Sequence, residues 1–138
     1  MTALSITATD VVAAAGASTG VGVLGGTVTA GQPLYQDTDG TYKLADSNDT
    51  AAKAKATAIA LQGGASGQTI AIFKGGGINL GATLAIGETY CLGTTAGEIV
   101  PIGDLATDDF VTILGVATSA SNLNALFYAS GAQHYSTA

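Results

Sequence analysis

The chain has 138 residues, of which 47% are hydrophobic, 6% aromatic and 10% charged, with a formal net charge of −6. Four lysines and no arginine stand against ten carboxylates, which disfavours a nucleic-acid partner because phosphate binding runs on cations. Every apolar run is broken well short of the roughly 20 residues that a spanning helix needs, so a membrane is not an expected partner either.

The length fits one domain. Much of the apolar content is alanine and valine, which bury little area each, so the core is expected to be thin. The 20 glycines would cost about 0.5 to 1 kcal/mol each inside strands, a sum that rivals the net stability of a domain. Most of them therefore belong in turns, bulges and close backbone contacts, and part of the stability is expected from subunit neighbours. The single cysteine, Cys91, has no internal disulfide partner and fits synthesis in a reducing compartment. No basic residue precedes the apolar Val11 to Ala15, and Asp10 adjoins it, which argues against a signal peptide.

Residues 1–26 begin with a β-leaning stretch (Leu4, Ile6, Thr7, Thr9) and continue as a Gly, Ala and Ser-rich tail. With so little to bury, the tail cannot order itself. It reads as an extended N-terminal arm pinned either by its own domain or by a partner, and residues 27–138 as a single β-domain. Thr27 to Asp46 reads as a hairpin around Asp37-Thr38-Asp39-Gly40, where Asp-Gly tolerates the positive φ of a tight turn. Pro33 lacks a ladder donor, so its strand is an edge or starts near there.

Alanines at 52, 54, 56, 58 and 60 alternate with Lys53, Lys55, Thr57, Ile59 and Leu61. A strand is expected over 56–61, with 49–55 as a loop or single helical turn. A turn at 63–67 leads into a strand over Gln68 to Lys74, and Gly75-Gly76-Gly77 is expected to turn the chain again. From Ile78 to Leu92 the period is two: Ile78, Leu80, Ala82, Leu84, Ile86, Glu88, Tyr90 and Leu92 share one parity. Fifteen residues at roughly 3.3 Å each are too long for one straight strand, so bends are expected at Gly81 and Gly87. A return strand over Glu98 to Ile102, an apolar strand over Phe110 to Ala117 and a last strand over Asn122 to Tyr128 follow, then a polar tail with His134. Gly31 to Ser47 and Gly87 to Asp104 form a faint repeat, each followed by an Ala-rich apolar strand. Two such units closing on each other predict an all-β fold, a small antiparallel β-barrel or sandwich with its N-terminal arm.

No arrangement of residues reads as catalytic, and no enzyme, cofactor or metal is expected. Asp37-Thr38-Asp39-Gly40 lacks the later acidic residue that closes a calcium loop and reads as a hairpin turn. Lys74-Gly75-Gly76-Gly77 lacks the ending of a phosphate loop. Asp104, Asp108 and Asp109 read as solvated turn carboxylates, and Cys91 as a small buried filler. His134 has no neighbour to work with.

The order of the pieces is informative. Ala30-Gly31-Gln32-Pro33-Leu34-Tyr35 is followed by Asp39-Gly40-Thr41-Tyr42-Lys43-Leu44-Ala45, Ala58-Ile59-Ala60-Leu61 and Ser66-Gly67-Gln68. Then come Gly87-Glu88-Thr89-Tyr90-Cys91-Leu92, Gly97-Glu98-Ile99-Val100-Pro101 and Leu114-Gly115-Val116-Ala117-Thr118-Ser119-Ala120. From about residue 27 to 128 this pattern of turns and short strands resembles the head decoration, or capsid cement, proteins of tailed bacteriophages. The resemblance implies a structural virion protein made in the host cytoplasm. It would bind the major capsid protein on the outer surface of the capsid as a homo-oligomer, trimers favoured, and stabilise the shell. Leu4, Ile6, Val11 and Val12 are the apolar residues expected to anchor the arm on the capsid, and removing residues 2–12 is expected to leave the domain folded. The alternative is a carbohydrate- or receptor-binding β-module of a phage fibre or cell surface. Low aromatic content counts against sugar platforms there, with Tyr35, Tyr42 and Tyr90 as the rings that would form one.

Overall fold

The computed structural model describes residues 4, 6–47, 52–93, 95–104 and 110–133. Ten strands follow in order: β1 (Val11–Ala13), β2 (Ser18–Val23), β3 (Pro33–Gln36), β4 (Tyr42–Leu44), β5 (Ala58–Ala60), β6 (Thr69–Leu80), β7 (Thr89–Leu92), β8 (Ile99–Pro101), β9 (Phe110–Ala117) and β10 (Asn122–Gln133). The protein is all-β, and its main sheet is an antiparallel half-barrel. Single 3-10 turns at Ala8–Asp10 and Ile102–Asp104 are the helical elements among the described residues.

The faint sequence repeat is a repeat of topology. Strand order is β4-β3-β5-β6-β10-β9-β7-β8. Each half is a hairpin (β3 with β4, β7 with β8) whose first strand pairs with an Ala- or Val-containing apolar strand (β5, β9), which in turn pairs with a long strand. The two long strands β6 and β10 meet in the middle, Leu123 opposite Ile78. The Asp-Gly turn joins β3 to β4, and Pro33 opens β3, where its missing N–H is tolerated.

Gly75-Gly76-Gly77 does not turn the chain; it lies inside β6. Neighbours on both edges decide this. Up to Gly75 β6 pairs with β2 and β5, and from Gly76 onward with β10 and β1. Ser18 opposes Gly75 but Thr19 opposes Phe73, so Lys74 is an extra residue, a bulge that bends the strand as it passes from one half of the molecule to the other. Gly76 has φ +97, and a Cβ there would stand 3.1 Å from Ala17 Cα.

The stretch read as an arm is pinned on its own domain. β1 and β2 lie along the edge of β6 that β5 and β10 leave open. Backbone hydrogen bonds supply the order that the small side chains of this segment cannot. Directly after β2, Leu24 bridges to Tyr42 and the Gly25 N–H donates to the Tyr42 carbonyl at 2.9 Å. Strands β2, β6, β5, β3 and β4 thereby ring a small core that includes Leu24, Val28, Leu34, Tyr42, Ile70 and Ile72. In the other half, the Leu4 N–H donates to Ile99 O and the Thr7 N–H to Gly81 O, both at 2.8 Å, carrying the N-terminal segment from β8 across to β6.

The main core fills the hollow of the half-barrel with Ile59, Phe73, Ile78, Leu80, Leu92, Ile99, Leu114 and Leu123 among its members. Alanine and isoleucine alternate in β5 because both faces of it are covered: Ile59 points into the main core, Ala58 and Ala60 into the smaller one. In β9, Gly115 opposes Tyr90 but Ile113 opposes Cys91, leaving Leu114 as a bulge. This breaks the simple alternation and sends both Leu114 and Ala117 inward. Register also shifts in β10 between Ala125 and Tyr128. There Phe127 adopts φ 50 and packs near Phe73, ring centroids 6.0 Å apart.

From Ile78 to Leu92 the bends fall at the two expected glycines, Gly81 (φ +65) and Gly87 (φ +83). Between them the chain is irregular rather than extended, and the alternation lapses: Leu84 is buried while Ile86 is 74% exposed. β10 continues beyond the expected end at Tyr128 to Gln133.

Candidate functional site

The candidate residues fall into separate places. Asp37 and Asp39 are spent on their own turn. The Thr38 N–H donates to Asp37 Oδ1 at 2.7 Å, Lys43 Nζ donates to Asp37 Oδ2 at 2.5 Å, and Asp39 Oδ1 accepts from the Thr41 N–H at 2.9 Å and its hydroxyl at 2.7 Å. The Lys43 hydrogen bond, helped by the Thr38 N–H, holds the Asp37 carboxyl below its ordinary value, and the Thr41 donors do the same for Asp39. Lys43 is correspondingly raised, chiefly by Asp37. This is a hairpin turn with an internal ion pair.

Cys91 is buried, and burial, with Glu88 adding, pushes its thiol up to about 11. Tyr35 and Tyr90 belong to the main core and Tyr42 to the smaller one, so the three rings form no exposed platform. Asp104 ends the second 3-10 turn. Asp108, Asp109 and His134 lie outside the described residues.

The four arm residues divide. Leu4 and Ile6 pack partly buried against the main core, and Val11 is buried within it opposite Leu80. Only Val12 is presented outward, 59% exposed. Three of the four anchors thus serve their own domain, because β1 fills the open edge of β6 and alternation sends Val11 in and Val12 out.

Two surface features were not expected from the sequence. The first is an apolar row across the outer face of the second half. Val100 of β8 opposes Cys91 of β7, Cys91 opposes Ile113 of β9, and Ile113 opposes Tyr128 of β10. Directly opposed residues share a face, and Val116 joins this one from the next outward position of β9. Cys91 and Val100 are buried beneath Val111 and Ile113, whereas Tyr128 is 57% exposed and Val116 is 39% exposed. In the first half, the face equivalent by topology is the inside of the small ring, covered by β2 and the Leu24 to Val28 segment.

The second feature is an open polar groove of about 560 Å³ between the Ala8–Asp10 turn and the corner at Gly81, with Asp10, Val12, Asn79 and Ser121 in its lining. No family model matches the chain, and no curated protein is similar to it.

Proposed function

We propose that this protein is a structural virion component, a decoration or cement protein that attaches to the major capsid protein on the outside of a tailed-bacteriophage head and reinforces the shell. The observation that carries this reading is the exposed end of the apolar row of the second half, Val116 and Tyr128, on the face that in the first half is covered by the chain's own strand. Exposed apolar side chains grouped on one face suit contact with another subunit. The resemblance of turn and strand order to head decoration proteins names which subunits these would be, copies of this chain as a trimer and the capsid protein beneath. The acidic balance, with a formal charge of −6, makes contact with packaged DNA unfavourable and suits the external surface. Repetition over a shell lets modest contacts add through effective concentration.

The test is sedimentation of the purified protein alone and with undecorated heads of the phage whose genome encodes it. Saturable co-sedimentation, abolished by Tyr128→Glu in a protein that still folds, is the expected result. A protein that leaves intact heads undecorated would overturn the reading in favour of a fibre or receptor-binding module.

A further inference from the structure

We propose that the groove between the Ala8–Asp10 turn and Gly81 is a binding site for a neutral saccharide, a role that goes beyond attachment to a capsid. Its frame is held by backbone. The Thr7 N–H donates to Gly81 O at 2.8 Å and the Asp10 N–H to Thr7 O at 2.9 Å, so the turn is clamped to the end of β6. Gly81 is needed for this clamp, since it sits at φ +65 and a Cβ would run into the Thr7 carbonyl oxygen. The groove is therefore built before any ligand arrives, which spares the ordering cost of binding.

Its chemistry is selective by what lines it. Asp10 offers an exposed carboxylate with no ion pair to it among the described residues. The Gly81 N–H donates to Asn79 Oδ1 at 2.8 Å, which leaves the Nδ2 hydrogens of Asn79 as donors to whatever fills the groove. Thr9, Thr83 and Ser121 bring hydroxyls, each able to donate and accept. No lysine lies in the lining, so a phosphate, sulfate or carboxylate would meet only the negative charge of Asp10. One carboxylate is also too few for a calcium ion, which takes six to eight oxygen ligands.

A sugar ring fits these constraints. Adjacent hydroxyls can donate together to a carboxylate and accept from an amide, and the C–H face of the ring finds an apolar surface on exposed Val12. Val12, Asn79 and Asn122 stand opposite one another across β1, β6 and β10, so the apolar and amide groups share the outward face. Without an aromatic ring to stack on, a single site binds at millimolar strength, and many copies on one particle would make such contact effective.

The test is titration of the ¹⁵N-labelled full chain with glucose, galactose, mannose and N-acetylglucosamine, followed by amide chemical shifts, with methylammonium as the competing probe. Saturable shifts with at least one sugar, centred on the amides of Asp10, Gly81, Thr83 and Ser121, are expected. Asp10→Ala should weaken that binding about tenfold or more, the usual effect of losing a charged hydrogen-bond partner, and Asn79→Ala should weaken it as well. Because the Asp10 side chain is exposed, its variant retains the fold and keeps the test decisive if Asn79→Ala does not. Absence of saturation with every sugar, shifts unchanged in Asp10→Ala, or a stronger response to methylammonium would overturn the proposal. The last outcome would mark the groove as a seat for a lysine side chain. Each result is independent of whether the protein binds heads.

Discussion

Ser47 and Gly93, 46 positions apart, are joined by a buried hydrogen bond from the serine hydroxyl to the glycine carbonyl. The Ser47 carbonyl in turn accepts from the Phe110 N–H at 2.8 Å, and close by the Gly97 N–H donates to Ala45 O at 2.8 Å. Thr112, the other fully buried polar side chain among the described residues, donates its hydroxyl to the Ala54 carbonyl. These bonds run between the connection that leaves β4 and the second half's hairpin and β9, so they close the two repeated units over the main core. Ser47→Ala leaves the buried Gly93 carbonyl without its side-chain donor and should lower stability by about 1 to 3 kcal/mol. Urea unfolding checks this, and an unchanged midpoint would deny the bond its role.

Gly81 and Gly87 both have left-handed φ but differ in surroundings. Nothing lies within 4 Å of a Cβ built at Gly87, while one at Gly81 meets the Thr7 backbone. Gly87→Ala should cost about 1 to 2 kcal/mol of conformational strain. Gly81→Ala should cost about 1 to 3 kcal/mol more from forced displacement. Equal losses in thermal unfolding would mean that the clamp between the turn and β6 contributes little.

Removal of residues 2–12 is expected to destabilise the domain, contrary to what an external arm would do. Burial of Val11 alone is worth about 1.5 to 3 kcal/mol, and the pairing of β1 with β6 goes with it. Val12→Ser, at an exposed position, should stay within about 0.5 kcal/mol of the parent. Denaturation of the two variants side by side separates the inward from the outward residue.

The turn ion pair has a defined pH signature. Because folding lowers the Asp37 pKa from the ordinary 3.8, chiefly through Lys43, the unfolded chain takes up a proton first as pH falls. The contribution is therefore complete above the unfolded value and lost as pH drops through the folded one. For Lys43, raised above 10.5, the contribution is complete below the unfolded value and lost as pH rises through the folded one. In Lys43→Met, NMR titration of Asp37 should show its midpoint moving upward; an unmoved midpoint would assign the effect to Thr38 alone.

Cys91 should resist alkylation at neutral pH, since its thiol is fully buried and its pKa is pushed up to about 11. The thiolate is the reactive form. Iodoacetamide labelling should become fast only in denaturant, and rapid labelling of the folded protein would contradict the placement of β7.

Local sequence determined a good deal of this protein. Period-two alternation marked β5 and β7, a run apolar on both faces marked β9, Asp39-Gly40 placed the first hairpin, and the paired order of hairpin and apolar strand announced two similar halves. These signals are legible because strand faces and tight turns are set by residues within a few positions of one another. What lay between distant positions was decided only by the tertiary structure. Gly75-Gly76-Gly77 has the composition of a turn, yet it stays within β6 because β2 pairs with Gly75, β10 pairs with Gly76 and Gly77, and the Ala14 N–H donates to Gly77 O. The N-terminal segment has too few large side chains to signal a strand, and it becomes one because β6 offers an open row of backbone partners. The same nonlocal pairing turned Val11 inward and Val12 outward, aligned Cys91, Ile113 and Tyr128 into one row through two bulges, and brought Asp10 to Asn79 across the clamp at Gly81. A hydrogen-bonding partner tens of residues away leaves no mark on local periodicity, which is why both surface features emerged only once the sheet was assembled.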